Sequence, residues 1–252
     1  MFKYLTIFSF IICFSFNLFA SETTGVVSTI QPINSLVSAV IGNTGKNILL
    51  IPAEVSPHDY KLKPSDTKKL QNANIIFFVS DHLESSVTKV FKNLPKNIKT
   101  VNLMEDAGIK HLAIRDNEAW ERHEHHHGHD DHDNDKHEKK HDDHDHDKHE
   151  KKHDDHDHDK HAKKHDDHDD HEKEDDVHIW LSPDNAVKII KKINKELSLF
   201  FPENAKTYDQ NTNQMIKRIN QLKVELKNEL SGIKDIPYVV FHDAYQYFET
   251  SF

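Results

Sequence analysis

The side chains able to do chemistry in this sequence are overwhelmingly imidazoles and carboxylates. Of 23 histidines in 252 residues, all but five lie between His123 and His171, a stretch without a single Val, Ile, Leu, Phe or Met. Within it HEKKHDDHDHDK occupies 137–148 and recurs unchanged at 149–160, and an edited copy, HAKKHDDHDDHE, fills 161–172. Neutral imidazole is the commonest protein ligand for transition metals near pH 7 and suits zinc, copper and nickel. Histidines three or four apart, such as His137, His141 and His144, alternate with aspartates, so several pairs could close on one ion whatever the local conformation. The pattern predicts auxiliary, low-affinity and poorly selective metal sites at His125, His126, His127, His129, His137, His141, His144 and His146. A solvated spacer would need charge, but nothing in solvation calls for so many imidazoles.

The other five histidines stand in text that can fold. His58 lies in EVSPHDYKLKPSD, His178 in DVHIWLSPDN and His242 in VVFHDAYQYF, each on or just after a predicted strand. Taken singly, each reads more readily as a loop or core histidine than as a ligand, and 120 residues separate the first from the second. His82, at a predicted helix start, and His111, in a predicted loop, receive no ligand role. The single cysteine, Cys13, lies in an apolar leader. Without that leader no thiolate is available, so a metal site must draw on His, Asp or Glu.

The leader is MFKYLTIFSFIICFSFNLFA, residues 1–20: one lysine, an uncharged apolar run and a small residue at its end. These are the marks of a secretory signal peptide with cleavage near Ala20, and they predict export to the periplasm. A membrane anchor would want about 20 apolar residues with flanking anchors. The formal charge of −10 makes nucleic acid and anionic membranes poor partners and suits a cationic one.

Positioning the three isolated histidines falls to the elements between them. Buried strands are predicted at 26–30, 47–52, 74–80 and 100–104, one more strand at 238–242, and helices at 33–41, 64–73 and 83–94, an alternation that argues for an α/β fold with a parallel sheet. Ligand sites in such sheets lie at the carboxyl ends of the strands. Residues 115–176 interrupt the pattern with a polar segment that cannot bury enough apolar surface to offset its ordering entropy, so a disordered His/Asp-rich insertion is expected. Ser182 and Pro183 should then start a helix with Ala186, Ile190, Ile193, Leu197 and Phe200 on one face. A second helix, about 28 residues or roughly 42 Å long, should run from Pro202 until Ser231-Gly232 stops it. Another helix is expected from Asp243.

PHDYKLKPSD, DVHIWLSPDNA and VVFHDAYQYF together resemble the three metal-site motifs of the substrate-binding proteins of bacterial zinc ABC importers. Their order and spacing match once the His-rich insertion is set aside. The resemblance implies a two-lobed α/β metal-receptor fold. The leader at 1–20 would precede a complete first lobe at 21–200 that carries the insertion, a long connecting helix at 201–232, and the start of a second lobe at 233–252 that is otherwise mostly absent from this chain. It implies that His58, His178 and His242 bind Zn²⁺, carried as cargo by a periplasmic monomer to an inner-membrane ABC permease, without catalysis. Manganese-binding relatives usually place a glutamate at the third position, so His242 favours zinc; three imidazoles suit tetrahedral Zn²⁺, whereas manganese prefers oxygen. Pro57 replaces the glutamate that precedes the first histidine in some zinc members. The fourth position is therefore open to water, to Glu54 or Asp59, or to a residue beyond Phe252. Competing readings are a His-rich buffer or store for zinc, nickel or copper, a manganese receptor, and a zinc hydrolase. No H-E-x-x-H motif supports the last.

Overall fold

The computed structural model describes residues 22–115 and 174–252. The leader and residues 116–173 of the His/Asp-rich insertion, with all of its candidate metal sites from His125 to His146, lie outside the described residues. At the predicted ends of the insertion the expectation of disorder fails, since Arg115 and residues 174–176 make defined hydrogen bonds.

Four strands form one parallel sheet in the order β2-β1-β3-β4. They are β1 (Thr23–Ser28), β2 (Gly45–Leu49), β3 (Ile75–Phe78) and β4 (Lys99–Asn102). Helices α1 (Gln31–Ile41) and α2 (Pro64–Gln71) make the first two crossovers. The chain thus winds outward from β1 to β2, then returns past β1 to β3 and β4, leaving the topological switch point between β1 and β3. The central strand β3, IIFF, is buried at every residue, as expected where both faces are covered.

Short helices α3 (Ser85–Thr88) and α4 (Leu103–Asp106) follow β3 and β4. After the insertion come α5 (Pro183–Phe200), α6 (Ala205–Leu230) and α7 (Gln246–Glu249). Pro183 opens α5, and the Ser182 hydroxyl accepts from the Asn185 N–H, which takes up one of the unpaired donors of the first turn. Among the described residues no helix is long and apolar enough to cross a membrane.

Helix α1 buries Ile33, Val37, Val40 and Ile41, and α5 buries Ile189, Ile190, Ile193 and Leu197; these faces pack on each other and on α6. Each such side chain, fully buried, contributes about 1.5–3 kcal/mol. The start of α6 is tied to the sheet by a buried polar group. The Thr23 hydroxyl meets the hydroxyls of Tyr208 and Thr44 and accepts from Asn204 Nδ2 at 3.2 Å. Farther along α6 burial ends, and Leu222 and Val224 are exposed. Gly42 ends α1 at φ +58, where a Cβ would stand 2.5 Å from Asn211 Nδ2 of α6. That amide donates to the Val40 carbonyl at 2.9 Å, so the glycine allows α6 to cap α1 closely.

Four further expectations fail. The run 47–52, expected as a strand buried on both faces, supplies the edge strand β2, in which Ile48 is 40% exposed. The predicted helix 83–94 is a single α turn, Ser85–Thr88, followed by a 3₁₀ turn at Phe91–Asn93. Val87, Thr88 and Val90 are β-branched and lose rotamer freedom in a helix, and Pro95 closes the segment. Residues 238–242 are not a strand. Val239 and Phe241 are 99% and 103% exposed, and no strand among the described residues lies alongside to complete a ladder. The helix expected from Asp243 begins only at Gln246.

Candidate metal centre

His58 belongs to the long connection between β2 and α2. The ladder continues past β2, with Leu50 N–H donating to Ser28 O and Ile51 N–H to Thr29 O, both at 2.9 Å. The chain then turns out and is drawn back at Tyr60, which is 5% exposed. The Tyr60 hydroxyl donates to Asp66 Oδ2 at 2.5 Å, and the Ser86 hydroxyl donates to the Tyr60 carbonyl at 2.5 Å. Asp66 also accepts from the Lys63 N–H and from Lys69 Nζ, both at 3.1 Å, at the first turn of α2. Burial would raise the Asp66 carboxyl, but these hydrogen bonds and the lysine charge hold it below its usual range. The same contact, with burial, pushes Tyr60 up to about 12. His58 therefore sits two residues from a firmly held point.

His178 lies between buried Val177 and Ile179 and just ahead of α5. Asp176 Oδ1 accepts from the His178 backbone N–H at 2.9 Å and lies 2.7 Å from its Nδ1. A neutral imidazole that donates from Nδ1 to a carboxylate keeps its lone pair on Nε2, facing away. Asp176 and His178 are both buried, so this contact is little screened. The Trp180 ring lies 5.4 Å from the His178 ring, edge on.

His242 comes from the irregular segment before α7. Its neighbour Asp243 accepts a two-point grip from Arg115: Nε to Oδ2 at 2.9 Å and Nη2 to Oδ1 at 2.5 Å. A third arm, Nη1, reaches Glu249 Oε2 at 2.6 Å.

These three histidines converge. Each offers one ring nitrogen, and the three nitrogens lie within 4.8 Å of one another. The Nε2 atoms of His178 and His242 are 3.4 Å apart. Zinc–nitrogen bonds of about 2.0–2.1 Å in tetrahedral geometry would set such a pair roughly 3.3–3.4 Å apart. One edge of a coordination tetrahedron is thus already drawn, and a modest inward shift of His58 would complete a face. Among the described residues no carboxylate joins the cluster, and neither Glu54 nor Asp59 belongs to it. His82 and His111 also stand apart. His111 bridges Asp175 at 2.8 Å and the Met104 carbonyl at 3.2 Å, and its role is to tie loops together.

Sequence reasoning missed the residues that hold these histidines. For Asp176 the signal was available, a carboxylate two positions before a candidate histidine. For Arg115, 128 residues from Asp243, there was none.

A parallel α/β lobe with a long helix after it thus brings imidazoles from three separate connections to one point that could hold a metal ion. Residues 26–252 match the family described as ZnuA, zinc-uptake complex component A periplasmic, and the chain belongs to that family. It is 40% identical over 233 residues to the high-affinity zinc uptake system protein ZnuA of Brucella abortus, covering 92% of this chain and 66% of the relative. The chain thus spans just under two thirds of that relative's length. Among solved structures, the fold is shared with the Zn(II)-bound ZnuA-like domain of Streptococcus pneumoniae AdcA at TM-score 0.60 and 22% identity, over 89% of this chain and 62% of that one. It is also shared with the Mn-bound periplasmic metal binding protein of Candidatus Liberibacter asiaticus at TM-score 0.63 and 20% identity, over 90% and 65% respectively.

Proposed function

We propose that this chain belongs to a periplasmic receptor that captures Zn²⁺ with His58, His178 and His242 and delivers it to an ABC permease. The observation that carries the reading is the approach of three ring nitrogens to within 4.8 Å, with Asp176 Oδ1 2.7 Å from Nδ1 of the His178 ring, where a carboxylate favours the tautomer that leaves Nε2 free for a metal. Three neutral nitrogen donors suit zinc better than manganese, which favours oxygen ligands. The role is capture and release without turnover, by a monomer exported through the 1–20 leader. In this reading 21–200 is the metal-binding lobe, α6 connects it to a second lobe that begins at 233, and the 115–176 insertion adds weak sites at its histidines.

The test is a zinc titration of the chain against a chromogenic chelator that reads only the tightest ion. Replacing His58, His178 and His242 together by alanine should abolish that tight binding while leaving weaker ions bound. Unchanged tight binding in the triple variant would refute the assignment.

A further inference from the structure

Residues 110–115 and 174–176 run side by side. Ala113 and Asp175 form an antiparallel bridge, flanked by the Ile114 N–H donating to Glu174 O at 2.8 Å and the Asp176 N–H donating to Leu112 O at 2.7 Å. This short ribbon presents two groups toward the histidine cluster. One edge carries Asp176, which fixes the His178 ring; the other carries Arg115, whose fork holds Asp243 beside His242. On its N-terminal side Val239 and Phe241 are 99% and 103% exposed, the Phe241 ring stands edge-on 6.4 Å from the His242 ring, and the Tyr238 hydroxyl donates to Glu249 Oε1 at 2.5 Å. From its C-terminal side, the contacts lead back to the ribbon: Gln246 Nε2 donates to Ala113 O at 3.2 Å, and the Leu112 N–H donates to the Tyr247 hydroxyl at 3.2 Å. Tyr247, 3% exposed, seats this segment, but an aromatic ring five residues away does not set the direction of the His242 imidazole. A guanidinium bonded to both oxygens of the adjacent carboxylate does, because a paired fork fixes angle as well as distance.

We propose that Arg115 is a positioning residue for metal capture: by gripping Asp243 it aims His242 at His178 and His58. The inference rests on His242 being a ligand. One ribbon then orients two of the three ligands, and loss of either partner of the fork should loosen the third donor without removing it.

The experiment measures zinc affinity of the full chain by chelator competition, tightest ion only. Arg115→Ala, Arg115→Lys and Asp243→Asn are each made alone and combined with His242→Ala. Arg115→Ala and Asp243→Asn should weaken the tight ion about 10- to 100-fold, the range for groups that orient a ligand. Arg115→Lys, which keeps charge but loses the fork, should fall between. In the His242→Ala background each should change affinity by no more than about two-fold, because the ligand they aim is gone. The visible spectrum of the Co²⁺-loaded Arg115→Ala chain should shift toward that of His242→Ala. If Arg115→Ala does not fold, the near-isosteric Asp243→Asn carries the comparison. Full affinity in the fork variants, with loss in His242→Ala, would overturn the positioning role and leave the site intact. Equal weakening with and without His242 would overturn it too, by making Arg115 a support of the fold. Unchanged binding in His242→Ala would remove the site assignment and this inference together.

Discussion

His178 Nε2 and His242 Nε2 stand 3.4 Å apart although 64 residues separate them in the chain. At this distance the Nε2–H of one ring can donate to the Nε2 of the other, and a divalent cation that displaces that proton would make two bonds in its place. His178 is the more rigid of the two, being buried and held by Asp176 from both its backbone and its ring.

Asp176→Ala should therefore weaken the tight zinc ion about 10- to 100-fold while the donor count stays the same. Removing the carboxylate frees the imidazole to rotate and to take either tautomer, so the Nε2 lone pair is no longer aimed at the metal. Asp176→Asn should recover part of the loss, since an amide oxygen still accepts from Nδ1. Chelator competition, paired with the Co²⁺ spectrum, checks this. Wild-type affinity in both variants would show that Asp176 does not orient the ligand.

Tyr60→Phe should act on the first ligand through the loop. It removes a donor from Asp66, whose carboxylate is 3% exposed, and is expected to destabilise the fold by about 1–3 kcal/mol. His58 should bind less tightly because the loop two residues on loses an anchor. Urea unfolding with and without zinc reads both effects, and the zinc-dependent increment should shrink.

Glu84 provides a pH signature apart from the metal. It sits fully buried at the switch point, where its carboxyl takes the Thr29 hydroxyl at 2.6 Å and the N–H groups of Val79 and Ser80 at 3.0 Å. Burial raises it to about 7, against hydrogen bonds that pull it down. Its folded value exceeds its unfolded value of 4.5, so the folded chain holds a proton that the unfolded chain has released. The stability this protonation contributes is fully present below pH about 4.5 and is lost as pH rises through about 7, a change on the order of 3 kcal/mol. Glu84→Gln cannot titrate and should lack this slope. It should also be less stable throughout, because the amide NH₂ must face one of the donors. Urea midpoints between pH 4.5 and 8 for the two proteins check the difference.

Deleting residues 123–171 should leave one tight zinc ion and remove the weaker ones. Equilibrium dialysis at graded free zinc measures both classes. Loss of the tight ion would favour a buffer built on the insertion over a receptor built on the cluster.

Local chemistry accounts for what could be read in advance. The run IIFFV, apolar at every position and bounded by Asn74 and Ser80, fits a strand covered on both faces, as β3 is. Ser182-Pro183 suits a helix start, and the spacing of Ile190, Ile193 and Leu197 lines one face of it. The motifs around His58, His178 and His242 were legible because ligand type and flanking residues lie within a few positions of each other. Residues 238–242 misled because a β-rich run becomes a strand only when a neighbour completes its ladder, and no described strand does so. The tertiary structure alone decided that Arg115 meets Asp243, that Tyr60 meets Asp66 under α2, and that three distant imidazoles face one point. Each is a contact between segments whose proximity depends on crossovers and helix packing, which leave no periodic trace in either partner. Residue types determine which bonds a chain is able to make; the fold chooses among them by bringing a few within reach.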